Sequence, residues 1–325
     1  MNKIKRTVII IGVGNLGLRH FESLVVSGMN LHIILLDPND KALKRAKNHL
    51  KSLDFNKGLI SVKLINDFKN VPDFIDIAVI ATNSNVRLDV LNKLISASKI
   101  KFLILEKVLF QKLEDYEKCY SLLQDNNVKC YVNCPMRTYD IFEKIKSFID
   151  NSLKLEIYVE GGDWSLGCNS IHYIDLFSFL SNSTVDYCTL NLDKEIIESK
   201  RKGFIEFTGS MELGYRNNSL NLSSISKSSD LKLIKIMSGK NLFMIDENSG
   251  ICEHYVENEK INEYGFRYPY QSEITKNFVK ELFETNDCKL PKYLNSMKLH
   301  KILISELINH VRINFNKNTN VINIT

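Results

Sequence analysis

The chain has 325 residues, more than a single hydrophobic core usually accommodates, so we expect two domains. Its composition, with 44% hydrophobic and 25% charged residues, is that of an ordinary globular protein. The net charge of +5 is small for this length and the basic residues are dispersed, which argues against nucleic acid as a partner.

The cysteines and the hydropathy pattern bear on the compartment. Seven cysteines without paired CxxC spacing favour a reducing, cytoplasmic compartment over a disulfide framework, and they predict no zinc or other metal site. The opening stretch MNKIKRTVIII has the basic head and apolar run of a signal peptide, but glycines interrupt the run, so we interpret it as a buried first strand. No stretch reaches the roughly 18 apolar residues of a membrane helix, so we expect no membrane partner.

Apolar strand patterns alternate with helical patterns over the first 134 residues. Near-continuous apolar strands separated by crossover helices are typical of a parallel, doubly wound sheet. We therefore predict an α/β fold whose N-terminal domain, residues 1–134, is built on a doubly wound parallel sheet. The predicted strands are 7–11, 31–37, 60–65, 76–82, 101–106 and 128–133, and the clearest helices are 18–27, 41–52, 86–97 and 114–126.

The pattern changes after residue 134. Helical patterns at 139–150 and 169–180 flank one strand-like segment, and residues 185–257 then read as successive strands, several of which alternate polar with apolar residues. These features predict a C-terminal α+β domain, residues 135–325, built on a large, mostly antiparallel open sheet. Two helices, around 270–285 and 293–313, close the chain.

A glycine-rich loop follows the first predicted strand. The spacing Gly12-x-Gly14-x-x-Gly17, directly after a strand, meets the context of the dinucleotide fingerprint. In that motif the first glycine permits a tight turn, the second lets the backbone approach the pyrophosphate, and the third allows close packing of helix on strand. With Asn15 and Leu16, these glycines are our candidates for cofactor contact; the alternative is a structural glycine turn.

Asp37 ends the second predicted strand, twenty residues beyond Gly17. A carboxylate at that place accepts hydrogen bonds from the adenosine ribose hydroxyls and repels a 2′-phosphate. No arginine directly follows it, although Lys41, Lys44 and Arg45 stand nearby, so the sequence favours NAD over NADP. The alternative for Asp37 is a helix cap or a turn carboxylate.

Two further stretches carry groups suited to redox chemistry. Glu106-Lys107 places opposite charges at the end of the fifth predicted strand; the alternative is a solvated strand end. His172 has helical spacing to Cys168 and Asp175, so Asp175 is placed to orient or polarise the imidazole. An imidazole titrates near neutrality and is suited to accept a hydroxyl proton during alcohol oxidation; the alternative is a core histidine.

The order of GVGNLGLRH, then LEKV, then CNSIHYIDLF before a large sheet resembles the glucose-fructose oxidoreductase, inositol dehydrogenase and MocA-type (Gfo/Idh/MocA) family. The resemblance implies a Rossmann domain followed by an α/β domain whose open sheet packs against substrate and partner subunits. It also implies oxidation or reduction of sugars, polyols and related compounds with a nicotinamide cofactor. By the same resemblance we expect a homodimer or homotetramer.

The resemblance assigns roles in the first domain. The family's Glu-Lys-Pro signature matches Glu106-Lys107, which implies that both lie at the cofactor and that Lys107 is close to the nicotinamide and the reacting hydroxyl. Val108 replaces the proline, which removes a residue with a fixed φ and easy access to a cis bond. Where the family's cofactor passes the loop after the fourth strand, the candidate contacts are Thr82, Asn83 and Asn85, with ordinary polar loop residues as the alternative.

In the second domain the family's histidine, set three residues before an aspartate, matches His172 and Asp175. Cys168 stands where many members have an aspartate, four residues before the histidine, so the charged half of the usual dyad is missing. Asn169 is the candidate to bind a substrate hydroxyl instead.

Two more residues are candidates for substrate contact. Arg137 matches the stretch that links the two domains and would hold an anionic or hydroxyl-rich substrate; an interdomain salt bridge is the alternative. Trp164, the only tryptophan, would stack on a sugar ring; ordinary core packing is the alternative.

Together, these residues and the resemblance predict an NAD-dependent oxidoreductase that transfers a hydride between nicotinamide and a secondary alcohol or ketone of a sugar or sugar derivative. His172 would act as acid/base and Lys107 would polarise the oxygen. A nucleotide sugar used for surface polysaccharide is the narrower substrate hypothesis. Two alternatives stay open: an NAD-binding regulator or scaffold without redox turnover, and an epimerase or lyase that uses tightly bound NAD transiently.

Overall fold

The computed structural model describes residues 5–53, 58–226 and 232–325. The chain divides into two compact units. The first unit consists of Met1–Phe110, Glu117–Asn133 and Pro269–Tyr293, and the second of Gln111–Tyr116, Cys134–Tyr268 and Leu294–Thr325. The chain passes from the first unit to the second between Asn133 and Cys134, and a segment near the C-terminus returns to the first unit.

A parallel sheet of six strands forms the core of the first unit. Its strands are β1 (Arg6–Ile11), β2 (Leu31–Leu36), β3 (Leu59–Ile65), β4 (Phe74–Ile80), β5 (Lys99–Leu105) and β6 (Lys129–Val132). Consecutive residues are buried along β1 and β4, so both faces of the sheet are covered, as the apolar sequences predict. The strand order β3-β2-β1-β4-β5-β6 is that of the doubly wound dinucleotide-binding fold, which confirms the predicted Rossmann sheet.

Helices connect and flank the strands. They are α1 (Asn15–Val25), α2 (Asp40–Ser52), α3 (Arg87–Ala97), α4 (Leu113–Asp125), α5 (Asp140–Lys146), α6 (Leu166–Ser181), α7 (Gln271–Thr285) and α8 (Tyr293–Phe315). The helix predicted over 139–150 ends at Lys146 instead, because the next three residues donate to carbonyls three residues back and form a tighter turn. Within residues 5–53, 58–226 and 232–325, no helix is both long and apolar enough to cross a bilayer.

A second sheet, of eight strands, forms the core of the second unit. Its strands are β7 (Leu155–Gly162), β8 (Tyr187–Leu192), β11 (Gly209–Tyr215), β12 (Asn218–Ile225), β13 (Leu233–Ser238), β14 (Asn241–Asp246), β15 (Ile251–Val256) and β16 (Glu259–Gly265), and β9 (Ile197–Glu198) pairs separately with β10 (Ile205–Glu206). The order is β16-β15-β14-β13-β7-β12-β11-β8, and β7 is parallel to β12 while the other pairs are antiparallel. The predicted mostly antiparallel sheet is confirmed.

The second sheet has one buried face and one open face. Along β7 the residues alternate, with Leu155, Ile157 and Val159 buried and with Tyr158 and Glu160 exposed. The open face carries charged and polar side chains such as Glu160 beside exposed apolar ones such as Tyr158 and Tyr187. Assembly through this face stays a prediction.

Candidate functional site

The glycine loop between β1 and α1 is shaped by close backbone contacts. Gly12 has a φ of +88°, and a methyl group there would lie 2.9 Å from the Thr82 backbone nitrogen. A methyl group at Gly17 would lie only 1.9 Å from the Gly12 carbonyl oxygen. The first and third glycines of the motif are therefore required by the turn and by the packing of α1 against it.

Gly14, the middle glycine, faces open space. It is the residue before α1, no side chain caps the helix there, and a methyl group at Gly14 would meet no atom within 4 Å. The first backbone N–H groups of a helix lack intrahelical partners and carry partial positive charge. The loop thus presents an open helix end with partial positive charge at the place where the fingerprint puts a pyrophosphate.

Asp37, directly after β2, is anchored beside this loop. Its Oδ2 accepts the backbone N–H of Val13 at 2.7 Å, and its Oδ1 accepts that of Asn39 at 2.8 Å. Each carboxylate oxygen can accept a second hydrogen bond, so the half-buried side chain keeps capacity for ribose hydroxyls. Arg45, from α2, donates to the Val13 carbonyl and to Asn15 Oδ1, which brings a cation close to the loop.

The loop after β4 lies against the glycine loop. The Thr82 backbone and Cγ2 are the atoms nearest to Gly12, and Asn83 and Asn85 are exposed. Thr82 Oγ1 is buried and has no hydrogen-bond partner among the described residues. An orphaned hydroxyl beside an open helix terminus fits a polar ligand, so the residues of this edge fit a dinucleotide.

Glu106, which follows β5, belongs to a buried hydrogen-bond network. Its Oε1 lies 2.8 Å from His20 Nε2 and accepts Asn133 Nδ2 at 2.6 Å. The same Asn133 amide donates to Gln271 Oε1 at 2.8 Å, and His20 Nδ1 lies 2.8 Å from Thr275 Oγ1. The network joins α1, β5 and α7, and it places Glu106 in the interior rather than at a solvated strand end.

The charge state of Glu106 follows from these neighbours. Burial alone raises the pKa of Glu106, but the hydrogen bond and charge of His20, the hydrogen bond of Asn133 and the charge of Arg87 together outweigh it, so the pKa is lowered. Glu106 is therefore an anion, and its neighbour in the sequence, Lys107, is half-buried. The peptide bond between Lys107 and Val108 is cis, although no proline is present.

Three residues of this region were not predicted from the sequence: Arg87, Gln271 and Thr275. Arg87 is buried and donates to the carbonyls of Thr82, Val108 and Leu109. The sequence holds one local signal for Arg87. A cation at the first position of a helix opposes the helix dipole, so it needs a compensating partner. No local signal marks Gln271 or Thr275, which reach Asn133 and His20 only through the return of α7 to the first unit.

The residues at the start of α6 form a compact turn in the second unit. Ser165, directly before the helix, has a φ of +62°. Asn169 Nδ2 donates to the Trp164 carbonyl at 2.9 Å, and the Cys168 N–H donates to Glu206 Oε2 at 3.3 Å. The Asn169 amide nitrogen therefore stabilises the turn. The buried carboxylate of Glu206, from β10, accepts a hydrogen bond from the backbone of Cys168.

Trp164 is 9% exposed and lies edge-on to Tyr173, with ring centroids 5.4 Å apart. Its Nε1 donates to the Ser223 carbonyl at 2.7 Å. Lys232 Nζ lies over both rings and also bridges to Glu247, which accepts the Tyr173 hydroxyl. The indole is thus packed in the second unit; contact with a sugar stays a prediction.

Asp175 pairs with Arg137 inside the second unit. Arg137 Nε donates to Oδ2 at 2.7 Å and its NH2 group to Oδ1 at 2.6 Å, a bidentate arrangement. Burial raises the pKa of Asp175 to about 6, against the opposing effect of Arg137. Arg137 therefore does form a salt bridge, but with a residue of its own unit and not between the two predicted domains. The predicted action of Asp175 on the half-buried His172, one turn earlier on α6, stays a prediction.

The Arg137→Met variant is expected to lose about 3–5 kcal/mol of unfolding free energy, because it leaves the Asp175 carboxylate buried without its cation. A folded-state pKa raised above the unfolded value means that stability falls as pH rises from about 4 through the folded pKa. The loss should therefore be larger at pH 8 than at pH 5 in urea unfolding. As a control, the double variant Arg137→Met/Asp175→Leu should regain most of the stability; equal midpoints for wild type and Arg137→Met would refute the pairing.

No group of three or more His, Cys, Asp or Glu side chains in the described parts of the chain is arranged to hold a metal ion. The predicted cofactor residues gather at one edge of the first sheet. The second unit holds the predicted substrate contacts Arg137, Trp164 and Asn169 and the predicted base His172, all on or near α6.

Solved structures share this architecture. An oxidoreductase from Agrobacterium radiobacter in complex with NAD+, L-tartaric acid and magnesium has a TM-score of 0.68 and 13% identity, covering 92% of this chain and 94% of that chain. UDP-N-acetylglucosamine 3-dehydrogenase GnnA from Acidithiobacillus ferrooxidans has a TM-score of 0.69 and 11% identity, covering 93% and 96%. A super-repressor mutant of Gal80p from Saccharomyces cerevisiae has a TM-score of 0.71 and 15% identity, covering 93% and 95%. At these identities the likeness shows the fold alone.

A comparison with curated protein sequences gives no match. A family model does match, described as an oxidoreductase family with an NAD-binding Rossmann fold (GFO_IDH_MocA), over residues 6–134. That range begins at the first residue of β1 and ends two residues after β6, so it takes in the whole parallel sheet with its glycine loop. Residues 6–134 are therefore similar to the NAD-binding Rossmann domain of the Gfo/Idh/MocA oxidoreductase family.

Proposed function

We propose that the protein is an NAD-dependent oxidoreductase that transfers a hydride between nicotinamide and a secondary alcohol or ketone of a sugar or sugar derivative. The observation that carries the proposal is the open helix terminus at Gly14, with the Asp37 carboxylate anchored beside it. NADP, disfavoured by Asp37, is the less suitable cofactor.

Residues of the first unit would bind the cofactor. The N–H groups of Asn15 and Leu16 hold the pyrophosphate, and Asp37 accepts the adenosine ribose hydroxyls. The polar side chains after β4, with the orphaned Thr82 hydroxyl foremost, meet the second ribose and the nicotinamide. When bound, NAD supplies the site that accepts or returns the hydride.

The remaining roles fall to groups that move or attract a proton. The ammonium group of Lys107 polarises the substrate oxygen, supported by the buried anion Glu106. His172 takes the hydroxyl proton during oxidation and returns it during reduction. Asp175 supports His172 from the next turn of α6, and Arg137, Trp164 and Asn169 contact the substrate.

The substrate class rests on the chemistry of these groups and on one structural neighbour. GnnA is a dehydrogenase of a nucleotide sugar, and its fold covers nearly the whole chain. We therefore infer a sugar or nucleotide sugar, of the kind used in surface polysaccharide, as substrate. All seven cysteines are free thiols, in keeping with a cytoplasmic location, and a homodimer or homotetramer would assemble through the open face of the second sheet.

The test is a binding and turnover experiment on the purified chain. Calorimetry should detect NAD binding tighter than NADP binding, and absorbance should report NADH formation with one member of a panel of free and nucleotide-linked sugars. Failure to bind either dinucleotide, with none carried through purification, would refute the proposal.

A second candidate function is an NAD-binding protein without turnover. The observations that favour it are Cys168 and Val108 at two family positions, and the likeness of the fold to Gal80p, solved as a super-repressor mutant. NAD binding without NADH formation across the panel would support this function. Bound NAD that never exchanges, with product formed and no net NADH, would instead indicate an epimerase or lyase.

The Asp37→Ala variant should bind NAD about 10- to 100-fold more weakly, because a hydrogen bond to a charged group is worth about 1.5–3 kcal/mol. NADP binding should weaken less, so the preference for NAD narrows. Titration calorimetry with both dinucleotides measures this. Asp40→Ala, at the exposed first residue of α2, is the control and should leave both affinities unchanged; an unaltered preference in Asp37→Ala would remove Asp37 from the site.

A further inference from the structure

Arg87 occupies an unfavourable place in the first unit. It is the first residue of α3 and is 1% exposed. Removing a guanidinium from water costs several kcal/mol unless hydrogen bonds replace the lost solvation, and a cation at a helix N-terminus also opposes the dipole. Both costs must be offset by hydrogen bonds from the guanidinium to groups around it.

The compensation comes from backbone carbonyls. One terminal nitrogen of Arg87 donates to the carbonyls of Val108 and Leu109, the latter at 2.8 Å, and the other donates to the carbonyl of Thr82. A guanidinium is planar and always charged, and it directs several N–H groups in a fixed fork. It can therefore hold acceptors from two chain segments at a fixed separation, which a lysine ammonium on a flexible stem does less well.

These acceptors belong to two loops with predicted roles. Thr82 begins the loop that carries Asn83 and Asn85, and Val108 follows directly on Lys107. The loops leave adjacent parallel strands, and β4 and β5 are hydrogen-bonded as far as the bond from the Glu106 N–H to the Ile80 carbonyl. Beyond that bond, Arg87 joins the loops within the described structure.

The Lys107 segment is also held on its other side. Glu106 is fixed by His20 and Asn133, so the residue before Lys107 is anchored to α1 and α7. The charge of Arg87 is one of the influences that lower the pKa of Glu106, which indicates that the guanidinium and this carboxylate act on each other across the segment. The residues on both sides of Lys107 are thus held in the interior, Glu106 by His20 and Asn133 and the Val108 carbonyl by Arg87.

We propose that Arg87 is a positioning residue, which sets the Lys107 ammonium against the cofactor contacts of the Thr82 loop by joining the two loops through their carbonyls. The role of Lys107 in this inference rests on the proposed function. We call the hydrogen bonds from Arg87 to the carbonyls of Thr82, Val108 and Leu109 the clamp. The clamp itself rests only on these hydrogen bonds and on the burial of Arg87. A misplacement of a reacting group by about 1 Å can cost about 100-fold in rate, so the clamp should matter more for turnover than for binding.

The first test measures the clamp without any turnover. Hydrogen exchange with mass spectrometry should show faster exchange in Arg87→Met than in wild type at residues 82–86 and 106–110, with the other strands of the first sheet unchanged. Arg87→Lys, which retains the charge, guards against failure to fold and should show an intermediate effect. Lys93→Met removes an exposed cation from the same helix and should match wild type. Exchange in both Arg87 variants equal to wild type would overturn the clamp.

The second test separates positioning from support of the fold. Arg87→Met should lower kcat by about 100-fold while the Kd of NADH changes little. In Arg87→Ala, guanidinium ion at concentrations below those that unfold the protein should restore part of kcat by occupying the vacated site. A kcat equal to wild type, or equal losses in kcat and NADH affinity without rescue, would overturn the positioning role.

The two tests also distinguish failure of this inference from failure of the proposed function. If wild type binds NADH but turns over no sugar, the oxidoreductase proposal fails. Protection of residues 106–110 by NADH, expected in wild type and lost in Arg87→Met, then decides whether Arg87 sets this segment against the cofactor. Equal protection in both proteins would overturn the inference.

Discussion

Gly17→Ala is expected to destabilise the first unit by more than about 4 kcal/mol and to abolish NAD binding. The added methyl group would lie 1.9 Å from the Gly12 carbonyl oxygen, a contact between backbone and Cβ that no side-chain rotation relieves. Either α1 moves away from β1 or the loop opens, and both movements disperse the N–H groups that would hold the pyrophosphate.

Gly14→Ala is the matched comparison, one turn of the same motif away. Its methyl group meets no protein atom within 4 Å, and alanine adopts the observed φ of −68° without strain. The unfolding free energy of the Gly14→Ala variant should differ from that of wild type by less than about 1 kcal/mol. NAD affinity should nevertheless fall by at least about tenfold, or ~1.4 kcal/mol, because the methyl group takes the space over which the pyrophosphate approaches the backbone.

Thermal unfolding and titration calorimetry with NAD on both variants make the measurement. The expected result is a loss of stability confined to Gly17→Ala and a loss of NAD affinity in both. Full NAD affinity in a folded Gly14→Ala protein would show that this loop is a structural turn, which is the alternative that the sequence left open.

His172→Ala is expected to lower kcat by about 10²–10⁴-fold while leaving NAD affinity nearly intact, because general acid–base catalysis contributes about that much. The imidazole lies half-buried on α6 in the second unit, whereas the predicted cofactor contacts lie in the first.

His172→Gln is the informative companion to this variant. Glutamine keeps a polar side chain of similar length on α6 but has no group that titrates near neutrality. If His172 moves a proton, both variants lose turnover alike; if it only packs or donates a hydrogen bond, glutamine should restore most of kcat. Turnover in His172→Ala comparable to wild type would remove the residue from the mechanism.

Much of the first unit could be predicted from the sequence, because its signals are local. Apolar runs of five to seven residues mark strands buried on both faces, and the six predicted strands differ from the observed ones by at most two residues at either end. The glycine spacing directly after β1 located the open helix terminus, and Asp37 was found by its distance from that loop.

The second unit was less accessible to this reasoning. The strand β16 was not predicted, since its sequence EKINEYG is polar and exposed over most of its length and lacks the alternation of a half-buried strand. The parallel pairing of β7 with β12 joins segments more than 55 residues apart in sequence, and no local pattern specifies it. Strand pairing of this kind is decided by packing over the whole sheet.

The sequence by itself determined the loop that we propose for the cofactor, because three glycines and one carboxylate act through backbone conformation and short-range spacing. These do not depend on what the loop packs against. The tertiary structure alone decided which polar side chains became partners. His20 is hydrogen-bonded to Thr275, 255 positions away in the sequence, and Arg137 to Asp175, 38 positions away. Arg87 donates to the carbonyls that follow Lys107. Each of these buried groups must find a hydrogen-bond partner when water is excluded, and which partner is within reach depends on the folded arrangement of distant segments.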